Sequence, residues 1–393
     1  MKILIMGNVF NPLEFDNYKS GMETFTINTY KALVHSGHDV YLSGPSDSVI
    51  KDRFIPWPAA SKYSKLLYDP TIKYFNPTEN YHKYLTDIKS LNPDLILSST
   101  GSIRALRYIA SLDYPTIYFA HSYIIWKYDS LFYKYILDIK SKHSNFKVAA
   151  VSSFVKDNIN SVLSDVVDCT IVPSYVPVST DISDSRYSNS VIYTGRISRD
   201  KEIENLVNIF KNTEFNLTII GEPSKFPIIE SKWFSDIILP IINSSSNINI
   251  ITSNISHELL YKELSRHSVY VSPAVGESIG YSSLEALSVG TPVISHYKKI
   301  RSGLCDFIED GFNGYNIDSY RNRFTSIKDK FLHAAYLCNK LDNSKIKEDF
   351  SIKYSAKKYS NSIINLADKL FSINIARENI PVDTRGMGAI SAS

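Results

Sequence analysis

Two glutamates, Glu277 and Glu285, stand eight positions apart in a segment rich in small residues. The apolar run His267 to Ser272 before them predicts a strand that ends close to Glu277, and Glu285 is predicted to stand at the start of a helix. In open α/β sheets, ligands bind in the crevice at the carboxyl ends of the strands, where both carboxylates would then lie. Carboxylates accept hydrogen bonds strongly from hydroxyl donors. The pair therefore indicates a pocket for a polyhydroxylated, nucleotide-like ligand.

Two cations, Arg196 and Lys201, follow another apolar run, Ser190–Thr194, and the turn residue Gly195. An arginine can bind a phosphate through two parallel hydrogen bonds, and a lysine adds a point charge. A glycine at the turn lets the backbone approach a ligand closely. The segment is therefore a candidate phosphate site. The alternative is a pair of surface cations beside a loop.

Two further candidates lie in the first half of the chain. Gly21 precedes the helix predicted over Glu23–Ser36, and the amides at a helix N-terminus bind anions. His121 follows the predicted strand Thr116–Ala120, where an imidazole can donate to a sugar hydroxyl or stabilise developing charge. The alternatives are an ordinary helix cap around Gly21 and a structural histidine in an aromatic cluster at His121.

The elements that would position these residues are short apolar runs that alternate with helix-period segments. This alternation is typical of βαβ units and predicts an α/β fold of two Rossmann-like, doubly wound parallel sheets facing a central cleft. We expect a first domain over residues 1–180, a second over 181–353, a helix over 354–377 that returns to the first domain, and a tail over 378–393. The linker between the domains is expected in the Pro- and Ser-rich segment Pro173–Ser190. Strands are predicted at Lys2–Met6, Asp39–Ser43, Asp94–Ser98, Thr116–Ala120, Lys147–Val151, Cys169–Val172, Ser190–Thr194, Asn216–Ile220, Asn247–Thr252, Ser268–Ser272, Pro292–Ser295 and Gly314–Ile317.

The composition of the chain narrows the class of protein. Its 393 residues are 44% hydrophobic and 21% charged, as expected of a globular protein of two or three domains. The net charge of +3 is too small to indicate nucleic-acid binding by itself. Cys169, Cys305 and Cys338 are too widely spaced for a disulfide framework or a zinc cluster, which favours a reducing cytoplasm. No apolar run approaches the length of a membrane span, and the N-terminal run is shorter than the apolar part of a signal peptide.

Motifs of several other enzyme classes are missing from the sequence. No Asp-x-Asp follows a predicted strand, so we expect no metal clamp on a diphosphate. P-loop, dinucleotide-binding and nucleophile-elbow motifs are missing as well. We therefore expect that the protein uses neither a metal nor another cofactor.

In combination, these residues resemble the retaining GT-B glycosyltransferases of family 4. The shared motifs occur in the family's order over nearly the whole chain, so the set is far more specific than the glutamate pair alone. Besides Gly21 and His121, they are Ala149-Ala150-Val151-Ser152-Ser153-Phe154-Val155, Gly195-Arg196 with Lys201, Leu217-Thr218-Ile219-Ile220-Gly221, Glu277 with Glu285, Gly290-Thr291-Pro292-Val293 and Ile308-Glu309-Asp310-Gly311-Phe312-Asn313-Gly314.

The resemblance implies transfer of a sugar from a UDP- or GDP-linked donor with retention of the anomeric configuration. Glu285 would accept hydrogen bonds from the ribose hydroxyls, and Glu277 would accept them from hydroxyls of the donor sugar. Arg196 and Lys201 would neutralise the diphosphate, which as the leaving group would help to deprotonate the acceptor in a front-face attack. Further contacts would come from Gly21 and His121 in the first domain and from the backbone near Ile279, Gly280 and Tyr281.

Six residues at four places depart from the family's usual pattern. Glu202 stands where a glycine often follows the lysine, and Ser20 replaces the first residue of a glycine pair. Ser174-Tyr175 replaces Asn-Gly before the linker, and Ser278-Ile279 replaces Gly-Phe after the first glutamate. These departures leave the base and the sugar of the donor open.

Lysines alternate with aromatic residues in two stretches of the first domain, within Arg53–Leu85 and from Trp126 to Tyr135. In GT-B enzymes this domain usually binds the acceptor. Aromatic faces suit sugar rings, and lysines suit lipid phosphates at an anionic membrane surface. The alternative is that both stretches are half-buried helix faces in a tyrosine-rich chain.

These features predict a cytoplasmic hexosyl- or pentosyltransferase that extends a lipid-linked or cell-surface glycan, in peripheral contact with the inner face of the cell membrane. One alternative is a phage-type transferase that glycosylates DNA bases, for which more Lys and Arg and salt-sensitive DNA binding are expected. Another alternative is a GT-B-shaped protein that binds glycans without catalysis. The intact set of charged site residues counts against this last alternative.

Overall fold

The computed structural model describes residues 1–7, 12–15, 21–57, 78–99, 106, 109–121, 127–162, 169–180, 182–183, 185–224, 228–253, 255–297, 301–318 and 326–378. Outside them lie Ser20, the part of the aromatic and lysine cluster at 58–77, Trp126, and the predicted tail from residue 379 onward. Within the described residues, no helix is both long and apolar enough to cross a membrane.

The first half of the chain forms a parallel sheet with helices on its faces. Its strands are β1 (Lys2–Met6), β2 (Asp39–Pro45), β3 (Phe54–Trp57), β4 (Leu95–Ser98), β5 (Thr116–Ala120), β6 (Phe146–Ala150) and β7 (Cys169–Ile171). Its helices are α1 (Gly21–His35), α2 (Thr78–Leu91), α3 (Lys127–Lys142) and α4 (Ser153–Val162). Within the described residues the strand order is β3-β2-β1-β4-β5-β6-β7, so β1 lies between β2 and β4. The order therefore reverses beside β1, and a crevice opens there at the carboxyl ends of the strands.

The second half repeats this architecture. Its strands are β8 (Ser190–Thr194), β9 (Asn216–Ile220), β10 (Ile248–Ile251), β11 (Val269–Ser272), β12 (Val293–Tyr297) and β13 (Gly314–Asp318). Its helices are α5 (Ile203–Phe210), α6 (Ile228–Trp233), α7 (Leu239–Asn243), α8 (His257–Arg266), α9 (Tyr281–Ser288), α10 (Ile327–Cys338) and α11 (Asn343–Lys353). A π-helical turn, Phe234–Ile238, joins α6 to α7, and two short 3₁₀ turns cover Arg199–Lys201 and Gly303–Asp306. The described strands lie in the order β10-β9-β8-β11-β12-β13, all parallel, which confirms the predicted pair of parallel-sheet α/β domains.

Strand β3 is absent from the set of predicted strands. It has only four residues and contains Pro56, which breaks the usual sequence pattern of a strand. The strand lies at the edge of the first sheet and pairs in parallel with β2 alone among the described strands. An edge position tolerates a proline, because one side of the strand needs no backbone donor.

The last helix, α12 (Ala356–Glu378), crosses back to the first half of the chain and packs against α1. The buried hydroxyls of Thr29 in α1 and Tyr359 in α12 share a hydrogen bond of 2.7 Å. Buried apolar residues of α12 belong to the same core cluster as residues of the first sheet: Ile363, Leu366, Ala367 and Leu370. The predicted boundaries of the two domains stay predictions.

The segment that joins the two sheets is anchored to both halves of the molecule. Near its start, Asn28 Nδ2 of α1 donates to Tyr175 O at 3.2 Å. Further along, Ser183 N donates to Ser265 Oγ of α8 at 2.8 Å. The guanidinium of Arg186 donates to three oxygens of the second half, namely His267 O, Val289 O and Thr291 Oγ1. Burial lowers the pKa of Arg186 to about 10, which still leaves the side chain charged at neutral pH.

Candidate active site

Arg196, Lys201 and Glu277 follow the carboxyl ends of two neighbouring strands, β8 and β11. These strands pair in parallel near the centre of the second sheet, and β9 lies on the other side of β8. The strand order therefore reverses between β8 and β11, which is where open α/β sheets bind their ligands. The topology brings these three predicted residues to one crevice.

Lys201 and Glu277 form an ion pair across this crevice. The distance from Lys201 Nζ to Glu277 Oε1 is 2.5 Å, and the side chains are only 26% and 19% exposed. Lys201 ends a 3₁₀ turn, and the next residue, Glu202, has a φ of 56° in the left-handed region. Since glycine adopts that conformation without steric cost, the geometry explains why a glycine suits the position after the lysine.

Arg196 lies in a more open environment than Lys201. Its Nη2 pairs with Asp200 Oδ2 at 2.7 Å, and the two side chains are 56% and 60% exposed. Its backbone is fixed to strand β8, because the hydroxyl of Tyr193 in that strand donates to Arg196 O at 3.0 Å. The arrangement makes Arg196 a cation at the rim of the crevice, where solvent screens its charge.

The turn that follows Glu277 leads directly into helix α9. Gly280 has a φ of 71°, and the helix begins at Tyr281. Gly303 N donates to Glu277 O at 2.8 Å, which ties the start of this turn to the neighbouring 3₁₀ turn. The first amides of a helix have no acceptor within it and carry partial positive charge. The backbone from Ile279 to Tyr281 can therefore bind an anionic group beside Glu277.

Glu285 lies in the second turn of α9, so the prediction that it stands at a helix start is wrong. The helix begins earlier because Gly280 supplies the left-handed residue that redirects the chain into it. Glu285 is only 5% exposed, and this burial raises the pKa of its carboxyl group to about 8. A hydroxyl donor at this carboxylate would stabilise its charged form.

Gly21, in the first domain, is the first residue of α1. It lies beside Tyr281, the first residue of α9 in the second domain. A Cβ atom at this position would lie 3.3 Å from the ring of Tyr281. The Tyr281 hydroxyl also donates to Ser174 Oγ, 2.8 Å away in the segment that joins the two sheets. Gly21 and Tyr281, which are predicted to contact the donor from opposite halves of the sequence, are therefore neighbours in the structure.

His121 directly follows β5, as expected, and packs edge-on against Phe25 of α1 with a centroid distance of 4.3 Å. Its Nε2 atom is buried and has no hydrogen-bond partner among the described residues. Burial lowers the pKa of the imidazole to about 3, so the ring is neutral at neutral pH. A neutral ring can accept a hydrogen bond from a ligand or donate one to it, but it carries no positive charge of its own.

Several residues near the site have no predicted role. Ser152 Oγ donates to Ser278 O at 2.6 Å, and the adjacent Ser153 N donates to Asp306 Oδ2 at 2.7 Å. Both serines belong to the motif quoted above for the first domain, but the motif does not reveal their partners. Ser174 is visible in the sequence only as a departure from the family's pattern.

Similar folds occur in solved structures. Sucrose-phosphate synthase from Thermosynechococcus elongatus is 14% identical with a TM-score of 0.68, and the match covers 95% of this chain and 99% of that one. HepE of Anabaena, solved with UDP and glucose, is 13% identical with a TM-score of 0.64, and the match covers 94% and 100%. At these identities the likeness shows the fold. The two parallel-sheet domains and the crevice at the strand-order reversal are those of the GT-B fold.

Two sequence families match consecutive parts of the chain. The family described as Glycosyltransferase Family 4 matches residues 19–179, and the family described as Glycosyl transferases group 1 matches residues 184–347. The chain belongs to the family 4, group 1 glycosyltransferases.

Curated relatives match over shorter regions. The sucrose synthase of Melioribacter roseus is 33% identical over 125 residues, which are 29% of this chain and 15% of the relative. The GtfA subunit of a UDP-N-acetylglucosamine–peptide N-acetylglucosaminyltransferase from Streptococcus pneumoniae is 28% identical over 169 residues, or 43% and 32%. The chain thus matches only a minor part of the length of these two relatives.

Proposed function

We propose that the protein is a retaining glycosyltransferase that moves a sugar from a UDP- or GDP-linked donor to a glycan or a lipid-linked acceptor. The observation that carries the proposal is the half-buried pair of Lys201 and Glu277 beside the N-terminus of α9. A cation and helix amides suit a diphosphate, and a carboxylate suits sugar hydroxyls. The three groups are within one crevice, as a nucleotide sugar requires.

In the proposed reaction, the bond between the anomeric carbon and the diphosphate oxygen breaks. The acceptor oxygen attacks the same face of the sugar, and its proton passes to the departing diphosphate. Lys201 and the backbone amides of Ile279 to Tyr281 stabilise the negative charge that grows on the leaving group. Glu277 uses Oε1 for Lys201, and its Oε2 accepts from a hydroxyl of the donor sugar. Catalysis then depends on positioning and on electrostatic stabilisation.

The first domain completes the proposed donor site. Gly21 lies against Tyr281, where it leaves room for the diphosphate at the start of α1. The neutral His121 exchanges a hydrogen bond with a hydroxyl of the donor sugar through its unpaired Nε2. Glu285 accepts from the ribose, whose hydroxyls replace the water that burial removes from this carboxylate.

The proposal defines the acceptor only by its chemical class. The lysine and tyrosine stretches of the first domain support a glycan or lipid-linked acceptor, with peripheral contact to a membrane surface. HepE has been solved with UDP and glucose, and the name of the GtfA enzyme gives UDP-N-acetylglucosamine as its donor. These neighbours favour a UDP-linked hexose as the first donor to test.

The first experiment is a thermal-shift panel of UDP, GDP, ADP and CMP sugars, followed by transfer assays with each donor that binds. A ligand that binds only the folded state raises the melting temperature by mass action. We expect a shift with a UDP or GDP sugar, and retention when the product anomer is assigned by NMR. An inverted product, or no shift with either class of nucleotide, would contradict the proposal.

The proposal also includes independence from metal ions, because Lys201 and Arg196 supply the positive charge at the diphosphate. Transfer should therefore continue at an unchanged rate in excess EDTA. A loss of activity that Mg²⁺ or Mn²⁺ restores would show that a metal provides this charge instead.

A further inference from the structure

We propose that Ser152 and Ser174 are positioning residues of the donor site, which hold the turn Glu277–Tyr281 from its two ends. This turn, called the donor turn below, belongs to the second domain. The residues that hold it lie in the first domain and at the first-domain end of the connecting segment. The inference rests on the proposed function for the meaning of the turn, but the hydrogen bonds that carry it do not depend on any ligand.

Ser152 holds the beginning of the donor turn. Its Oγ donates to Ser278 O at 2.6 Å and accepts from Val155 N at 3.3 Å. The second bond makes Ser152 the N-cap of α4, so the hydroxyl is fixed in direction before it reaches the other domain. The hydroxyl, in a residue that is only 1% exposed, thus donates its single proton to Ser278 O and accepts one hydrogen bond from Val155 N.

Gly303 makes this contact sterically possible. A Cβ atom at Gly303 would lie 1.9 Å from Ser278 O and 2.5 Å from Ser152 Oγ. The backbone amide of Gly303 donates to Glu277 O at the same time. The carbonyls of the first two residues of the donor turn are thus bonded from two separate elements, and no larger residue fits between them.

Tyr281 holds the other end of the donor turn. Its hydroxyl donates to Ser174 Oγ at 2.8 Å, and its ring touches the position of Gly21. Ser174 is itself 2% exposed, and the adjacent Tyr175 O accepts from Asn28 Nδ2 of α1. The first residue of α9 is therefore attached, through a partly buried pair of hydroxyls, to the first-domain end of the connecting segment.

The two attachments matter because the donor turn contains a left-handed residue, Gly280, which leaves the backbone free to adopt other conformations. A single conformation aims the amides of α9 and the carboxylate of Glu277 at the same ligand. Each attachment reduces the number of alternative conformations. Donor affinity in the second domain is thus expected to depend on hydroxyl groups of the first domain and the connecting segment.

The test compares Tyr281→Phe, Ser174→Ala and the double variant in the full chain. Hydrogen exchange of peptides that cover residues 277–284, measured without ligand, reports the donor turn directly. We expect about two- to tenfold faster exchange in each single variant, as a typical hydrogen bond predicts. The double variant should exchange no faster than the single variants, because all three lack the same bond. Exchange at the wild-type rate, or additive effects, would overturn the proposal at this end of the turn.

Ser152→Ala tests the other end, with Ser256→Ala as the matched control. Both serines are N-caps, and Ser256 Oγ accepts from Leu259 N in α8. Loss of a cap is therefore common to the two variants, whereas only Ser152→Ala removes a bond to the donor turn. We expect faster exchange of residues 277–284 in Ser152→Ala alone. The same acceleration in Ser256→Ala, or none in Ser152→Ala, would overturn the role of Ser152.

Nucleotide binding separates this inference from the proposed function. With UDP and GDP as probes, we expect two- to tenfold weaker binding in Tyr281→Phe, Ser174→Ala and Ser152→Ala than in wild type. The KM for the donor should rise more than kcat falls, because the turn contacts the donor in the ground state as well. If exchange changes as expected but the wild type binds neither UDP nor GDP, the proposed function fails while the positioning stands. If the wild type binds and the variants bind equally well, the positioning role fails.

Discussion

Lys201 and Arg196 carry the same charge in different surroundings, so their loss should have different effects. Lys201 is 26% exposed and bonded to Glu277, whereas Arg196 is 56% exposed and bonded to Asp200. A charge-assisted contact contributes about 1.5–3 kcal/mol, or roughly 10- to 150-fold, and more where water is excluded. We predict that Lys201→Met lowers kcat/KM within or above this range, and that Arg196→Met lowers it less than about tenfold. Steady-state kinetics at two salt concentrations would measure both, and equal losses would contradict the difference in burial.

Glu285 makes the stability of the protein depend on pH in an unusual direction. Burial raises the pKa of its carboxyl group from the ordinary value of 4.5 to about 8, so between these values the folded protein holds a proton that the unfolded chain has lost. The free energy of unfolding therefore falls as the pH rises through this window. We predict that Glu285→Gln, which mimics the protonated form, melts near the wild-type temperature at pH 4.5 and above it at pH 8.

Melting curves at both pH values would measure this effect, and Glu214→Gln, at an exposed position, controls for the loss of one surface charge. A melting difference between Glu285→Gln and wild type that is the same at both pH values would contradict the raised pKa. The result would bear on function as well, because a ribose that favours the charged carboxylate must displace this proton.

At the scale of elements, two glycines let β8 and β9 end side by side. A Cβ atom at Gly221, just after β9, would lie 1.8 Å from Gly195 O, just after β8. Backbone cannot yield as a flexible side chain does, so we predict that Gly221→Ala destabilises the protein by about 3 kcal/mol, the upper end for overpacking.

Gly37→Ala is the matched control for this prediction. Gly37 has a φ of +83° and open space around its Cβ position, so only its backbone conformation opposes the substitution. That cost is about 1–2 kcal/mol. Urea denaturation of both variants would measure the difference, and equal losses would mean that the contact with Gly195 relaxes easily.

The same elements show how far sequence reasoning reaches in this chain. Strands such as β5 and β8 are buried along their whole length between two helical layers, and their uninterrupted apolar runs predict them well. The site residues at the strand ends follow from that pattern, because parallel strands place their carboxyl ends at one edge. Strand β3 does not follow, since Pro56 hides it, and the start of α9 is obscured because Gly280 looks like part of a loop.

Contacts between the two halves of the chain were beyond the reach of any local pattern. The partner of Ser152 lies 126 positions away and that of Tyr281 lies 107 positions away. A serine hydroxyl can bond to almost any acceptor, so its type does not identify its partner. Only the relative placement of the two sheets decides these pairs.

At the scale of the whole molecule, the anchored connecting segment defines where movement can occur. Tyr175 is bonded to the first domain, while Ser183 and Arg186 are bonded to the second. A change in the angle between the domains must therefore be absorbed between these anchors and at the second crossing, between Lys353 and Ala356.

We predict that donor binding makes the protein more compact, because a crevice lined from both domains excludes water by closing. X-ray scattering would measure this as a smaller radius of gyration at saturating UDP sugar than without ligand. An unchanged scattering curve would mean that the domains are already closed, and it would weaken the role proposed for His121.

The return of α12 to the first domain affects the order in which the protein can fold during its synthesis on the ribosome. Ile363 and Leu370 belong to the same apolar cluster as Ile3 and Ile5 of β1, although nearly the whole chain separates them. The first sheet and α1 are synthesised early, yet the face of α1 that packs against α12 stays uncovered until α12 has left the exit tunnel. The strands of the second sheet are complete by residue 318, and the helices α10 and α11 that follow them end at Cys338 and Lys353, before α12 begins. We therefore expect the half of the molecule that is synthesised first to complete its packing last, with the apolar surface that α12 covers exposed in the interval.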